Sequence, residues 1–384
     1  MLKRLLLFLL TGWACHVHAL IIYNNGANDD SSYTTTNGLP QGMDAMWDSV
    51  VFLSRWANSF DASGVYLGNG FFLTAQHVTA LYAGQSAVFI NNVPYTLDIQ
   101  FGTGGMMSVA DIPGVTPPVD LRIFKVLSPP ALPAATLNRS KTETTVGAAY
   151  LVGCGQGKGT PIVGQGWAWG TSNATRARRW GAAVIAGPTT ADTTGSCLYS
   201  RFSPSHGTHV ASAAQGDSGS GMFQHIGGVW VLSGITAAVT TSGHSYHTPP
   251  DSTLYVRIAD YADAIASAIT DTLIGTVAIP NLWLRTYFPS APFSSYAALA
   301  GQTASNGLNT IAECYVAGLN PTNATSRFRA TITLTNNTPY IAWSPDLRPN
   351  RTYEVQGKTN LSESTWGSTN SATRFFKVKV FSGQ

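Results

Sequence analysis

Short apolar or alternating runs recur along the chain from Ser49 to Val256, and each is bounded by Gly, Pro or Asn. They include SVVFLS at 49–54, GVYLG at 64–68, FFLTA at 71–75, SAVFI at 86–90, LRIFKV at 121–126, AAYLVG at 148–153, AAVIAG at 182–187, GVWVLSGITAAV at 228–239 and TLYVRI at 253–258. Runs of this length with turn residues between them predict an all-β barrel or sandwich, because alternation with period two presents one apolar face per strand. One helical pattern follows, with Tyr261, Ile265 and Ile269 at i, i+4 and i+8, and it predicts a single helix closing the β domain. Gly275, Pro280, Pro289 and Pro292 mark 273–292 as a linker. From Phe293 a second set of strand-like runs (RATITLT, PYIAWS, TYEVQG, RFFKVKV) predicts a small separate β module over 293–384.

Length and composition sharpen this division. A chain of 384 residues exceeds the common domain size of about 100–200 residues, so two units are expected. Charged residues are 11% of the total, against about 25% in an average globular protein, which suits a secreted β-rich chain. The first nineteen residues combine Lys3 and Arg4, an apolar stretch from Leu5, and the small-x-small ending Val17-His18-Ala19, the pattern of a signal peptide. Residues 20–47 then form a polar N-terminal segment ahead of the domain at 48–272. The apolar run is shorter than the roughly 20 residues that span a bilayer, so no membrane span is expected in the mature protein, which is assigned to the exterior, the cell envelope or the periplasm.

Without Lys3 and Arg4, 20 basic residues face 19 acidic ones, which argues against a nucleic-acid partner. Cys154, Cys197 and Cys314 lie beyond the leader. Cys154 and Cys197 fall in the same expected domain and are paired as the candidate disulfide. No CxxC motif or Cys/His cluster is present, and neither a metal nor a cofactor is expected.

Two different chemistries are suggested within residues 206–221, HGTHVASAAQGDSGSG. His206-Gly207-Thr208-His209 resembles the histidine segment of subtilisins. That reading also needs an upstream Asp-[Ser/Thr]-Gly, a downstream Gly-Thr-Ser-x-Ala, and long helices between parallel strands. Asp61-Ala62-Ser63-Gly64 and Thr241-Ser242-Gly243 do not supply these segments.

The other half, Gln215-Gly216-Asp217-Ser218-Gly219-Ser220-Gly221, resembles the nucleophile segment of chymotrypsin/trypsin-like serine proteases. Leu73-Thr74-Ala75-Gln76-His77 resembles that family's histidine segment, and Val119-Asp120-Leu121-Arg122-Ile123 its aspartate strand. The order His, Asp, Ser is the family's, with 43 residues from His77 to Asp120 and 98 from Asp120 to Ser218. The resemblance covers roughly residues 48–270. It implies a two-barrel chymotrypsin-like fold with a C-terminal helix, and a secreted serine endopeptidase acting on polypeptide substrates through an acyl-enzyme. Asp98 and Asp111 are the other carboxylates available to the histidine. A protease-like barrel that has lost catalysis and serves adhesion or ligand binding is the competing reading.

The chemistry explains the residue types. A serine hydroxyl needs a base to take its proton at neutral pH, and a carboxylate that orients the imidazole. By the resemblance these roles fall to Ser218, His77 and Asp120, with the amides of Gly216 and Ser218 forming the oxyanion hole. The same resemblance puts Ser212 at the base of the specificity pocket and Thr236 and Val239 in its wall. A neutral base and a valine in place of a glycine predict small or medium aliphatic side chains at the cleaved bond. In the family a newly formed N-terminal amine inserts beside the aspartate before the nucleophile, here Asp217. Removal of the leader would expose Leu20-Ile21-Ile22, and whether Asp217 meets that amine or another group stays open at this level.

Asn306-Gly307-Leu308-Asn309-Thr310-Ile311-Ala312-Glu313 is similar to calcium loops that precede C-terminal β modules of secreted bacterial proteins. Gln302 and Ala304 stand where the first carboxylates belong, so a structural turn is expected instead. The module at 293–384 is a candidate attachment to the cell surface or another partner.

Overall fold

The computed structural model describes residues 20–23, 31–57, 59–81, 84–99, 101–144, 148–162, 166–170, 176–207, 209–240, 246–247, 251–335, 338–348, 351–369, 373 and 375–382. With 44% of residues in strands and 16% in helices, the chain is mostly β, as the alternating runs require. It divides into two compact units, residues 1–111 with 115–262, and residues 112–114 with 263–384.

The first unit starts with β1 (Ile21–Tyr23) and a short helix α1 (Asp44–Ser49). Seven strands then form one curled antiparallel sheet: β2 (Val50–Ser54), β3 (Ala62–Gly68), β4 (Phe71–Thr74), β5 (Ala87–Ile90), β6 (Val93–Thr96), β7 (Met106–Ser108) and β8 (Arg122–Lys125). Their order is β6-β5-β2-β3-β4-β8-β7. The core inside this curl contains Val51, Leu53, Tyr66, Phe72, Ile90, Phe124 and Val126. Phe72 and Phe124 are cross-strand partners whose rings stack at 4.9 Å, a pair that fixes the register of β4 against β8.

A second curled sheet has the order β1-β15-β12-β9-β16-β17-β19-β14-β13. Its later strands are β9 (Ala149–Gly153), β12 (Arg179–Ala183), β13 (Ile185–Ala191), β14 (Gly195–Arg201), β15 (Val210–Ser212), β16 (Gly221–Ile226), β17 (Val229–Thr240) and β19 (Ser252–Arg257). A small sheet of β10 (Lys158–Ile162), β11 (Gly166–Trp169) and β18 (Tyr246–His247) flanks it in sequence. The two large sheets are the two half-barrels of a chymotrypsin-like fold.

The N-terminal segment is part of the second sheet. β1 pairs antiparallel with β15, setting Ile21 against Ser212 and Tyr23 against Val210. Leu20, Ile21 and Ile22 are fully buried. Downstream, Trp180 Nε1 donates to Thr35 O at 3.1 Å and Trp230 Nε1 to Gln41 O at 3.0 Å, holding the polar stretch against the same sheet.

The second unit contains α2 (Ala262–Ile269), apart from its first residue, so the helix expected to close the β domain groups with the chain that follows it. Residues 273–292, expected as a linker, are ordered structure. β20 (Asp271–Ile274) and β21 (Val277–Pro280) form a hairpin that runs into α3 (Asn281–Tyr287). The residues taken as linker signals punctuate these elements: Gly275 makes the hairpin turn at φ 60°, and Pro280 is the N-cap of α3. Ile279 and Leu284 are fully buried in one cluster with Tyr296 of α4 (Tyr296–Ala300) and Ile311 and Cys314 of α5 (Ile311–Ala317). Beyond it lie the hairpin β22 (Arg329–Thr335) and β23 (Thr338–Ser344), and a sheet of β24 (Arg351–Lys358) between β25 (Gly367–Ser368) and β26 (Phe375–Ser382).

The turn before α5 is tied to itself. Asn306 Oδ1 accepts from the amides of Leu308 and Asn309, and its amide nitrogen donates to Ser326 O. Glu313 accepts from Thr310 N at 2.7 Å while Thr310 Oγ1 accepts from Glu313 N, a capping box that occupies the carboxylate a calcium loop would need.

The expected disulfide is absent: Cys154, Cys197 and Cys314 are free, buried thiols. Cys154 follows β9 and Cys197 lies in β14, so β16, β17 and β19 separate them in the sheet order, beyond the reach of a disulfide. Burial pushes the Cys154 thiol up to about 12.

Candidate active site

The two halves of the first unit contribute different atoms to one cleft. β4 runs directly into the 3-10 turn Gln76–Leu81 that carries His77, and Asp120 precedes β8. Because Thr74 and Arg122 are register partners, the end of β4 and the start of β8 meet, and His77 and Asp120 meet with them. Asp120 Oδ1 accepts from the His77 amide at 2.8 Å, and Asp120 Oδ2 lies 2.8 Å from His77 Nδ1. The carboxylate is held by two donors on one residue, which sets both the place and the tilt of the ring. The Asp120 side chain is only 7% exposed while the imidazole is 47% exposed, so the ring's far edge is open to a ligand. On that edge His77 Nε2 lies 2.8 Å from Ser218 Oγ. Asp98 pairs with Lys125 at 2.8 Å instead, and the charge of Asp111 acts on Arg122.

Ser218 sits in a turn fastened to both large sheets. Asp217 N donates to Ala214 O at 3.1 Å and Ser220 N to Asp217 O at 2.8 Å, closing the turn on itself. Gly219 N donates to Thr236 O on β17, whereas Ser63 N on β3 donates to Ser218 O, each at 2.9 Å. A side chain at Gly219 would force its neighbours to shift. Its φ is +86°, and a Cβ would stand 2.1 Å from Ser63 O and 2.2 Å from Thr74 Oγ1. Among the described residues no backbone carbonyl accepts from the N–H of Gly216 or Ser218. Those two amides are available to an oxygen placed beside Ser218 Oγ.

Asp217 lies beneath this turn, fully buried. It accepts from Gly155 N at 2.7 Å and Ala214 N at 2.8 Å. Burial raises its pKa to about 6, opposed by these two amides and by Arg176 and Arg179. The N-terminal strand reaches the same spot: a Cβ on Gly153 would lie 2.2 Å from Asp217 Oδ1 and 3.0 Å from Leu20 Cδ2. Leu20 and Asp217 are therefore near neighbours.

Beside Ser218 a cavity of about 340 Å³ opens between Ala213–Gln215 and Thr236–Val239, with Trp169 as a further wall. Thr236 and Val239 line it. Ser212, expected at its base, is not among the residues bordering it; it ends β15, next to the lining residue Ala213, with its hydroxyl 3.0 Å from Thr253 Oγ1. Trp169 was missed by the sequence reading. Its only signal there is the alternation in GWAWG, which marks a strand without saying which cleft the strand borders. His209 makes its contacts elsewhere, with its Nδ1 2.9 Å from Tyr33 Oη and its ring packed edge-on against Tyr33. His206 and His209 take no part in the contacts of Ser218.

An imidazole bridging a buried carboxylate and a hydroxyl, two unpaired amides beside that hydroxyl, and an apolar cavity together suit nucleophilic attack on a carbonyl. Residues 62–231 match the model of a family described as the trypsin-like peptidase domain. The matched stretch contains His77, Asp120 and Ser218 and stops short of Thr236, Val239 and residues 263–384. None of the curated proteins matches the chain.

Proposed function

Since residues 62–231 match the trypsin-like peptidase domain family, we propose that this protein is a secreted serine endopeptidase acting on polypeptides through Ser218, His77 and Asp120. The observation that carries the proposal is the unbroken relay of 2.8 Å contacts from Asp120 Oδ2 to His77 Nδ1 and from His77 Nε2 to Ser218 Oγ. In the first half-reaction His77 takes the Ser218 proton as Oγ attacks the scissile carbonyl, and returns it to the departing amine. In the second it activates water against the acyl-enzyme. Asp120 holds the imidazole in the tautomer that keeps Nε2 free to accept, and stabilises the imidazolium. The Gly216 and Ser218 amides donate to the carbonyl oxygen as it becomes negative.

The cavity takes the side chain on the acyl side of the bond. Alanines, Val239 and Trp169 make up most of its walls, Gln215 and Thr236 are neutral, and none of the described lining residues is ionised, which favours a small or medium apolar side chain over Arg or Lys. The burial of Leu20, Ile21 and Ile22 and the nearness of Leu20 to Asp217 support a maturation in which removal of the leader after Ala19 places a new amine at Asp217. The C-terminal unit is proposed to attach the enzyme to the cell surface or another partner.

Labelling with a fluorophosphonate probe tests the assignment. The mature protein is expected to label and its Ser218→Ala variant, folded to the same melting temperature, to stay unlabelled. Equal labelling of the two, or none in either, would refute it.

A further inference from the structure

The guanidinium of Arg176 lies against the glycine of the oxyanion hole. A Cβ on Gly216 would stand 2.7 Å from Arg176 Nη1 and 2.9 Å from its Cζ. Arg176 Nε and Nη1 are buried and, among the described residues, donate to no acceptor. The residue as a whole is half-buried, so its charge is only partly hydrated. Neighbouring cations are occupied otherwise: Arg55 lies 3.7 Å from Asp61, Arg178 donates to Trp47 O and Asp48, and Arg179 is fully buried. Burial pulls the pKa of Arg176 below the usual arginine value, and the carboxylates of Asp217 and Asp61 only partly offset this. A half-buried charge with unmade hydrogen bonds is costly, and a carboxylate approaching the exposed part of the guanidinium offsets that cost through its charge.

The position of Arg176 fixes which part of a substrate would meet it. Arg176 does not line the acyl-side cavity, which lies on the flank of Ser218 formed by 213–215 and 236–239. It sits against Gly216, on the flank where Ser63 Oγ donates to Gly216 O at 3.1 Å, and near enough to Asp61 to feel its charge. A peptide with its acyl side chain in the cavity and its carbonyl oxygen toward Gly216 N must send its leaving segment over that flank.

We propose that Arg176 forms an anion subsite for the leaving segment, so that the enzyme prefers substrates with an acidic side chain at the first or second position after the cleaved bond. This rests on the serine endopeptidase reading. It adds a specificity determinant on the side of the bond that the apolar cavity does not touch.

The test uses acyl transfer, which isolates the leaving side. The mature protein is acylated with a p-nitrophenyl ester of an N-acylated alanine and offered dipeptide amides beginning with Glu or with its isostere Gln. The amine attacks the acyl carbon, the bond to Ser218 Oγ breaks, and His77 passes the amine's proton back to Oγ. Glu is expected to capture the acyl group about tenfold more efficiently than Gln, the size of one charge-assisted contact. The Glu/Gln ratio is expected to fall to near one in Arg176→Ala and to survive in part in Arg176→Lys. Raising the salt concentration is expected to lower the ratio in wild type, a readout that needs no variant to fold. Acylation followed by equal capture of Glu and Gln in wild type overturns the subsite alone, as does a ratio unmoved in a folded Arg176→Ala. Failure of wild type to acylate overturns the endopeptidase reading and the subsite with it.

Discussion

The two large sheets of the first unit hold their share of the cleft by different means. The sheet of β2–β8 surrounds an aromatic and aliphatic core, and its contribution, His77 with Asp120, stands where two neighbouring strands meet through the Phe72–Phe124 register. The second sheet holds Ser218 in a polar setting: buried Asp217 beneath the turn, buried Ser220 donating to Thr236 Oγ1 at 2.7 Å, and arginines close by. The His77–Asp120 pair thus depends on close packing, whereas the turn bearing Ser218 depends on satisfied buried polar groups. The first kind of support fails by losing stability, the second by losing geometry.

Asp120→Asn gives the largest separation of chemistry from folding. The amide can still occupy the site but favours the wrong imidazole tautomer, so kcat is expected to fall about 10⁴-fold with little change in melting temperature. A fall below tenfold, measured on a peptide ester, would remove Asp120 from the relay. Next come paired variants, one for each kind of support. Phe72→Ala empties a fully buried aromatic site and is expected to cost about 3–5 kcal/mol of stability by urea titration, with activity per folded molecule largely kept. Gly219→Ala must displace Ser63 O or Thr74 Oγ1, and is expected to lower kcat/KM about 100-fold or more with a smaller loss of stability. If the two variants lose activity and stability in the same proportion, the contrast between the sheets is wrong.

The strand runs and the three motif segments were legible in the sequence because each is local. FFLTA, LRIFKV and GDSG carry their own alternation or turn chemistry, and their order along the chain distinguishes one protease architecture from another. What was not legible depends on pairings between distant segments. No local pattern tells that three strands separate Cys154 from Cys197, that Trp169 borders the cavity, or that Arg176 lies on Gly216. The stretch 273–292 misled for a related reason. Proline and glycine mark where the chain turns, and a short hairpin and helix need as many such marks as a linker does. Ser212 shows the limit of counting back from Ser218: the count stops one residue short of the cavity wall that begins at Ala213, at a side chain that meets Thr253 instead.

A smaller effect sharpens the account of the polar sheet. With its folded-state pKa raised to about 6 against about 3.9 in an unfolded chain, Asp217 holds a proton in the folded state that the unfolded chain has released between those values. Its contribution to stability is therefore complete below about pH 4 and is lost as pH rises through 6. An amine beside Asp217 favours the carboxylate and shrinks that loss. A chain beginning at Leu20 is expected to keep its melting temperature from pH 4.5 to 6.5 better than one extended by Ala19 and the residues before it. Identical profiles for the two chains would mean that Asp217 is served by its amides and arginines alone.

The smallest expected effect concerns His209, the histidine of the subtilisin-like half of 206–221. Its contacts lead away from Ser218, to Tyr33 Oη at 2.9 Å and to the ring of Trp180 at 5.8 Å, on the face where the N-terminal segment is held. If it were a catalytic base, replacing it would remove several orders of magnitude of activity, as for any member of a nucleophile–base pair. As a fastening for the N-terminal segment it carries one hydrogen bond and ring contacts, so His209→Ala is expected to cost about 1 kcal/mol of stability. Its kcat/KM is expected to stay within about threefold of wild type, because an intact turn keeps Ser218 against His77. A loss beyond 100-fold in a folded His209→Ala would mean that the N-terminal segment acts on the nucleophile turn through β15, the strand that follows His209 and pairs with β1.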